Sequence, residues 1–392
     1  MTASFCCGFE CGAGHWNYSG TASISTTVFR SGLRSLRVNP TTGVGGARSV
    51  HGGSNQTAAN GVGVIRCSVR FDTLPSASTI LIDSVFTNSC GLWFEQSDSK
   101  LYARANGVNG ATGYAVTTGV QYLVNMRLTE DGSAINVTVD VTIDGTALAS
   151  PAAGSNGGAS SSWQLGVINT ATADVYFDDV LTSNTSGDYP LGDGYILSYI
   201  PNADGSHNIA GANDFERTLT GTDITNATTD AYTLVDERPL PTTEVDFING
   251  VAPPNSTDYV EVAYEDSVEA AAPRSVEAIV VHHDAGGPGT NNWTWTLRDS
   301  GGGTSGDVHN GTTNVGANLT MKRAHFTTIP GGGAWTLTAF NALRSRFLVT
   351  DASPDVYIDA GMLEAEYAPV NIGGEHPITE WPMRRRLMVL AH

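Results

Sequence analysis

The sequence predicts an all-β protein made of two tandem antiparallel β-sandwiches, jelly-roll-like, followed by a short C-terminal tail. First, 45 of the 392 residues are Gly and only 15% are charged, a composition that suits turns and strand faces better than exposed helices. Second, runs of alternating apolar and polar residues recur at short spacing between Gly, Ser and Asn turns. Third, the acidic stretch 174–180 is echoed by 355–361, towards the end of each half.

The two acidic stretches predict the strand that closes each sandwich. Val175 and Phe177 lean to one side and the carboxylates to the other, which is the period-two pattern of a half-buried strand. We expect such strands to lie at a sheet edge, where exposed carboxylates discourage pairing between edges. Glu364 and Glu366, which follow the second copy and share a face, are therefore expected to be exposed.

Other strand candidates follow one another with turn residues between them. In the first half they are 21–29, 33–38, 62–71, 79–86, 91–95, 100–104, 121–128, 134–143 and 163–168, and in the second half 276–283, 293–301 and 322–330. The best helix candidate is 335–343, where Thr336 or Thr338 is placed to cap the first turn.

The polar segment 183–190, which contains Gly and Pro, marks the predicted domain boundary. We predict a first sandwich over 1–188, a second over 189–368 and a tail over 369–392. This length exceeds what a self-supporting core requires.

Charge excludes some classes of partner. The net charge of −19 argues against nucleic acid, because binding phosphates needs a basic face. No run of 18 apolar residues is present, so we expect no membrane insertion. The N-terminal residues lack the basic and apolar blocks of a secretion signal, so we expect assembly in a cytoplasm.

The five cysteines do not suggest a disulfide framework, because their number is odd and no secretion signal is seen; they are Cys6, Cys7, Cys11, Cys67 and Cys90. Cys6, Cys7, Cys11 and His15 could hold a zinc ion, although their spacing is not that of a standard finger. The alternative is small buried thiols at the start of a sandwich.

The first half resembles the concanavalin-like and laminin-G-like jelly rolls. The resemblance lies in the order of five short motifs, at 35–38, 69–75, 92–94, 142–145 and 175–179. It implies a jelly roll, and it implies a candidate Ca²⁺ site at a loop edge, with Asp178 or Asp179 and a backbone carbonyl of an N-terminal loop as ligands.

Aromatic side chains offer candidate contacts to a glycan. Trp16, Tyr18 and Trp93 in the first half are candidates for stacking on sugar rings. Trp293 and Trp295 share one strand face, which in a sandwich is the core side, so we expect them to be buried.

No catalytic residues are predicted. The sequence lacks the Glu-x-Asp-x-x-Glu type of motif that retaining glycosidases use, and it lacks a Gly-x-Ser-x-Gly elbow. Asp178 and Asp179 are adjacent, so on a regular strand they point to opposite faces and cannot form a catalytic pair. His282 and His283 diverge for the same reason, so we expect a protein that is not an enzyme.

The second half resembles a domain common in structural proteins of tailed bacteriophages. Three motifs carry this resemblance, at 199–205, 232–237 and 335–343, and this sequence departs from it by a longer Gly-rich insert around 299–318. The resemblance implies a multimeric structural component of the virion, tail-associated as a minor tail, fibre or tip protein, whose partners are other virion proteins, copies of itself and a host-surface glycan.

Two alternatives stay open. One is a capsid decoration or head-fibre protein. The other belongs to another class, a carbohydrate-binding or glycan-cleaving jelly-roll protein.

The C-terminal tail is predicted to be a docking arm. Arg384, Arg385 and Arg386 stand together in an otherwise acidic chain and are followed by the apolar run from Leu387 to Leu390. Three arginines can pair with an acidic patch, and an apolar end can be buried in a partner's groove. The alternative is a frayed terminus.

Overall fold

The computed structural model describes most of the chain and shows an all-β protein, as predicted. The described residues are 3–10, 16–41, 45–49, 61–83, 90–130, 136–151, 154–155, 163–210, 214–217, 221–236, 247–250, 257–267, 276–286, 290–299, 305–314, 320–349 and 356–367. All pairings between their strands are antiparallel, and they form two pairs of sheets, one pair in each half. The boundary near 188 stays a prediction.

The first pair of sheets is jelly-roll-like. Its strands are β1 Ala3–Cys7, β2 Trp16–Ser19, β3 Ala22–Ser25, β4 Ser35–Val38, β5 Gly45–Ser49, β6 Val62–Thr73, β7 Thr79–Asp83, β8 Gly91–Glu95, β9 Lys100–Ala105, β10 Val108–Asn109, β11 Tyr114–Ala115, β12 Gln121–Glu130, β13 Asn136–Ile143, β14 Thr146–Ala147, β15 Gly154–Ser155, β16 Gln164–Val167 and β17 Asp174–Ser183. A short 3-10 helix, Ser186–Asp188, follows.

These strands build a nine-stranded and an eight-stranded sheet. The first has the order β14-β13-β12-β6-β17-β4-β3, with β1 also on β17 and β15 on β13. The second has the order β10-β9-β8-β7-β16-β5-β2, with β11 also on β9. Val69 and Val124 of the first sheet and Leu92 and Leu101 of the second belong to one buried core. The alternation read in the sequence thus places one face of each sheet inside a sandwich.

The second pair of sheets is smaller. Its strands are β18 Tyr195–Tyr199, β19 Pro201–Asp204, β20 Phe215–Arg217, β21 Thr222–Asp223, β22 Ile248–Gly250, β23 Val260–Tyr264, β24 Val276–Gly286, β25 Thr290–Arg298, β26 Ser305–Asn314, β27 Thr320–Phe326, β28 Arg344–Val349 and β29 Val356–Tyr367. One sheet has the order β21-β20-β22-β29-β24-β27 with β18 on β29, and the other has the order β19-β23-β28-β25-β26.

The two tryptophans of β25 lie in the second core, as predicted. Trp293 and Trp295 are each 1% exposed. Their rings lie 6.0 and 6.1 Å from the ring of Phe347 on the neighbouring strand β28. Cross-strand aromatic contacts of this kind bury large area and hold two strands in register.

A single α-helix is found among the described residues. It is α1, Leu337–Asn341, and it is shorter than the predicted 335–343. The hydroxyl of Thr336 accepts a hydrogen bond from the N–H of Ala339 at 3.1 Å, so Thr336 is the cap that the sequence indicated. No described helix has the length and apolar character needed to cross a membrane.

The acidic strands of the near-repeat are central, which corrects the prediction that they are edges. Strand β17 lies between β6 and β4, and β29 lies between β22 and β24. A central strand has its backbone paired on both sides, so the carboxylates on these strands cannot serve as protection for an edge. The partners of these carboxylates therefore have to lie inside the protein.

A third, smaller core joins the two halves. Cys6, Val64 and Leu181 come from the first pair of sheets, and Leu191 and Ile196 come from the chain that enters the second pair. The apolar contact between the halves therefore lies beside the acidic strands β17 and β29.

Candidate functional site

The predicted calcium ligands Asp178 and Asp179 lie at a bulge in β17. The pairing of β17 with β6 shifts register between Asp178 and Leu181, and the φ of Asp179 is 52°. Such a bulge breaks the alternation of side chains along the strand. Both carboxylates consequently reach the same loop, which corrects the prediction that the two side chains diverge.

That loop contains Arg30 and Ser31. The Oδ2 atom of Asp178 accepts hydrogen bonds from the backbone N–H of Arg30 at 2.6 Å and of Ser31 at 3.1 Å. The Oδ2 atom of Asp179 pairs with the Arg30 guanidinium at 2.9 Å, and its Oδ1 accepts from the Ser31 hydroxyl and from the N–H of Ile196. These carboxylates are thus bound by protein donors from both halves.

The calcium site stays a prediction. Within the described part of the chain, no group of three or more His, Cys, Asp or Glu side chains is arranged to hold a metal ion. The donors to Asp178 and Asp179 from other residues are groups of Arg30, Ser31 and Ile196. The Arg30 guanidinium supplies a positive charge next to Asp179, at 2.9 Å.

A buried ion pair crosses the junction between the halves. Arg66 on β6 is 0% exposed and Glu366 on β29 is 1% exposed, and they form two hydrogen bonds of 2.5 and 2.8 Å. A bidentate pair of this kind fixes geometry as well as charge. Gly194 is required beside it, because a Cβ there would approach the Tyr367 carbonyl oxygen to 2.5 Å.

Glu364 is buried as well, which corrects the expectation that this face of β29 is exposed. Its Oε1 atom accepts a hydrogen bond from the backbone N–H of Gly8 at 3.1 Å. Glu10, also buried, accepts from the N–H of Leu33 at 2.5 Å and of Arg34 at 3.0 Å. The acidic residues of both halves therefore act as acceptors for backbone groups at the junction.

We call Glu10, Arg30, Arg66, Asp178, Asp179, Glu364 and Glu366 the junction cluster. Burial, followed by the charge of Asp179, raises the pKa of Asp178 well above its usual value, and the N–H groups of Arg30 and Ser31 oppose this shift. Burial also raises the pKa of Glu366, against the attraction of Arg66. Five buried carboxylates face two arginines in the cluster, and at Asp178 and Glu366 the effect of burial outweighs that of the donors and arginines.

The Arg30 side chain makes hydrogen bonds to both halves at the junction. In addition to its pair with Asp179, its guanidinium donates to the carbonyl oxygens of Gly194 at 2.7 Å and Asp193 at 3.2 Å. These carbonyls lie just before β18, the first strand of the second pair of sheets. One side chain thus connects a loop of the first sandwich to the start of the second.

The glycan-contact candidates have different outcomes. Trp16 is 4% exposed, its ring lies 5.5 Å from that of Phe9, and its Nε1–H contacts the Cys7 sulfur at 3.5 Å. It is a core residue and offers no face to a sugar, which corrects that prediction. The side chain of Tyr18 lies outside the described residues.

Trp93 stays a glycan-contact candidate. Its ring is half-buried, its Nε1–H donates to Glu95 at 3.1 Å, and the Arg104 guanidinium lies 3.8 Å from the ring centroid. One face of the ring is therefore covered by a cation, and a ligand would have to use the remaining surface.

The cysteines that the structure describes are small buried thiols. Cys6, Cys7, Cys67 and Cys90 are all buried. Burial, together with the charges of Glu364 and Glu366, raises the pKa of the Cys6 thiol. Cys11 and His15, the other members of the zinc candidate, lie outside the described residues.

The docking-arm residues Arg384, Arg385, Arg386, Leu387 and Leu390 also lie outside the described residues.

The motifs of the second half meet in its core. The Asp204 carboxylate accepts the N–H groups of Ala231 at 3.0 Å and Tyr232 at 2.7 Å, at the start of the 3-10 helix Ala231–Leu234. The ring of Tyr199 lies edge-on to that of Phe340 at 4.8 Å. The order of the motifs in the sequence thus reflects contacts that shape this sandwich.

Replacing Asp204 by Ala is expected to lower the free energy of unfolding by about 1–2 kcal/mol, because two N–H groups at a helix start lose their acceptor. Urea denaturation measures this loss. Asp230 is the matched control: it stands directly before the same helix, but its side chain makes no capping bond and is 59% exposed. Equal losses for Asp204→Ala and Asp230→Ala would contradict the capping role.

Comparisons with known proteins give no family. No family model matches the chain, and no curated protein matches it. Among solved structures it is similar to the T. cruzi calreticulin globular domain, at 13% identity and a TM-score of 0.33, over 48% of this chain and 90% of that one.

Two further solved structures are similar over different shares of the chain. The CBM22-1-CBM22-2 tandem domain of Paenibacillus barcinonensis Xyn10C matches at 12% identity and a TM-score of 0.26, over 93% of this chain and 97% of that one. The GH131 beta-glucanase catalytic domain of Podospora anserina matches at 12% identity and a TM-score of 0.32, over 44% and 86%. At such identities and TM-scores these likenesses carry no argument about function, which has to come from the residues of the site itself.

Proposed function

We propose that this protein is a non-enzymatic structural component of a tailed-phage particle, in which the two sandwiches act as one rigid unit. The observation that carries the proposal is the buried pair of Arg66 and Glu366, which ties one half to the other with both side chains removed from water. A joint of this kind resists relative motion of the halves, which suits a part that bears load or presents a surface. The phage motifs at 199–205, 232–237 and 335–343 support the same proposal.

The absence of catalysis is part of this proposal. The buried carboxylates of the junction cluster accept hydrogen bonds from backbone N–H groups and arginines, so their acceptor capacity serves the fold. General acid–base chemistry on a glycan needs two carboxyl groups that reach substrate. Hydrolysis of any polysaccharide in a broad panel, abolished in Glu364→Gln or Glu366→Gln protein that still folds, would overturn this.

The proposed location is the tail of the particle, with assembly in the host cytoplasm and with other virion proteins and further copies of this chain as partners. Gold-labelled antibody on purified particles tests the location directly. Label at the tail supports the proposal, and label over the head supports the alternative of a capsid decoration or head-fibre protein. Particles that carry no label would overturn both.

The C-terminal segment 369–392 is proposed to dock the protein onto its neighbours in the particle. Deletion of 376–392 is expected to leave the melting temperature unchanged and to abolish incorporation into particles, because the three arginines and the apolar run supply the contact. Quantitative blotting of particles, with a melting curve of the truncated chain, measures both. Normal incorporation would place the contact on the sandwiches.

A second candidate function is glycan binding through Trp93. The half-buried ring of Trp93 under Arg104 is the observation that favours it. Glycan binding that is lost in Trp93→Ala, by a protein that is absent from particles, would support this function over the structural one.

A further inference from the structure

An open polar cleft lies between two loops of the second half. One wall is formed by β19 from Asn202 onwards and the turn that follows it as far as His207, and the other runs from Asn226 to Tyr232. The volume of the cleft is about 730 Å³. That volume falls within the range of roughly 300–1,000 Å³ that small-molecule sites occupy.

The walls of the cleft are fixed by hydrogen bonds. The Asn226 side-chain amide bonds the N–H of Ile209 at 2.7 Å and its carbonyl at 3.1 Å, which ties the two loops together. His207 accepts the N–H of Glu261 at its Nδ1 at 3.1 Å, and Ser206 donates its N–H to the Glu261 carboxylate at 3.2 Å. A site held in this way needs little reordering when it binds.

Several polar groups of the lining are left for a ligand. The side chains of Asn202, Ser206, Thr229 and Tyr232 make no hydrogen bond to another described residue. Together they offer an amide and three hydroxyls, each of which can donate and accept. These groups converge on one space, beside the half-buried ring of Tyr232, which packs on the second core.

The charge of the lining selects the class of ligand. None of the lining residues is Lys or Arg, and the chain as a whole carries −19, so anions are disfavoured. The carboxylate of Asp204 is already bound by the N–H groups of Ala231 and Tyr232, so it is not free to hold a cation. An uncharged ligand with many hydroxyls and an apolar face fits such a lining.

We propose that this cleft binds a short neutral saccharide, with the Tyr232 ring as the stacking surface and Asn202, Ser206 and Thr229 as hydrogen-bonding partners. The inference rests on the proposed role in a particle for its biological meaning, because a host-surface glycan is the contact expected of a tail protein. The binding itself is a property of the cleft and can be measured on the purified full chain.

The test is binding of the full chain to an array of neutral oligosaccharides, built on glucose, galactose, mannose and N-acetylglucosamine, with sialylated and sulfated ones alongside. We expect neutral ligands to bind and charged ones to be rejected. Titration calorimetry on the best ligand should show that Tyr232→Ala weakens binding about tenfold or more, as loss of one aromatic contact does. Tyr232→Phe, which keeps the ring, should retain most of the affinity.

The controls separate this site from Trp93 and from misfolding. Trp93→Ala is expected to bind as the unchanged chain does. Asn202→Ala and Thr229→Ala, both at exposed positions, should each weaken binding and melt normally, which covers the case in which Tyr232→Ala fails to fold. Failure to bind any neutral glycan, a preference for anionic glycans, or loss of binding in Trp93→Ala alone would overturn the inference. Labelling of particles is unaffected by any of these results, so the proposed function is tested separately.

Discussion

Replacing Arg66 by Met is expected to lower the free energy of unfolding by about 3–5 kcal/mol, because it leaves the carboxylate of Glu366 buried without its partner. Urea denaturation followed by tryptophan fluorescence measures the change. The large size of the effect comes from burial, since a charge removed from water keeps its full desolvation cost when its partner is lost.

Arg70 provides the matched control on the same strand. Its partner is Asp72, and both side chains are 32% exposed, so Arg70→Met should cost no more than about 1 kcal/mol. The double variant Arg66→Met with Glu366→Leu should recover much of the loss, because it removes both buried charges. A loss in Arg66→Met no larger than that in Arg70→Met would contradict the role of the pair.

Raising the pH from about 4 towards 8 is expected to lower the free energy of unfolding. Burial raises the pKa of Asp178 and of Glu366, so in the folded protein these groups hold protons that the unfolded chain has already released. The resulting stabilisation is complete below the usual carboxyl pKa, near 4, and is lost as the pH rises through the raised values. Urea midpoints across this range measure the slope.

Asp179→Asn should flatten that slope, because the charge of Asp179 raises the pKa of both Asp178 and Glu366. The amide keeps an acceptor for the N–H of Ile196, and Asn tolerates the positive φ at position 179. Glu216→Gln, which makes the same change in charge on β20, is the control and should leave the slope as it is. If the dependence of the urea midpoint on pH is the same in the unchanged protein and in both variants, the junction cluster is not the source of that dependence.

Much of the fold follows from local pattern. Alternation located most of the longer strands, and β8 was predicted with the bounds that it has. Trp293 and Trp295 could be assigned to the core because two tryptophans on one strand face need burial. The cap of α1 by Thr336 could be predicted because capping is a contact between near neighbours.

The order of the strands in the sheets and the junction cluster could not be predicted from local sequence pattern. Whether β17 and β29 are edges or centres depends on partners far away in the chain, and alternation is the same in both cases. The bulge at Asp178 reverses the expected direction of one side chain. Likewise, the 305–314 strand lies within what the sequence suggested was a Gly-rich insert.

One signal for the missed residues was present in the sequence. Arg66 stands in the apolar run Val64-Ile65-Arg66-Cys67, and an arginine in a strand buried on both faces needs a carboxylate partner. The sequence does not say which carboxylate this is. Only the arrangement of β6 beside β17, and of β29 across the junction, identifies it as Glu366.

The pair of Arg66 and Glu366 also sets an order of events during synthesis, because its members are 300 residues apart. At roughly 5–20 residues per second, Glu366 leaves the ribosome about 15–60 s after Arg66. Throughout that interval the guanidinium can reach the carbonyl oxygen of Asp179, to which it donates at 3.4 Å, but it has no carboxylate partner from β29. This side of the first sandwich therefore stays exposed to water while the second half is translated. This side of the first sandwich is thus covered late in synthesis, only after strand β29, Val356–Tyr367, has been translated.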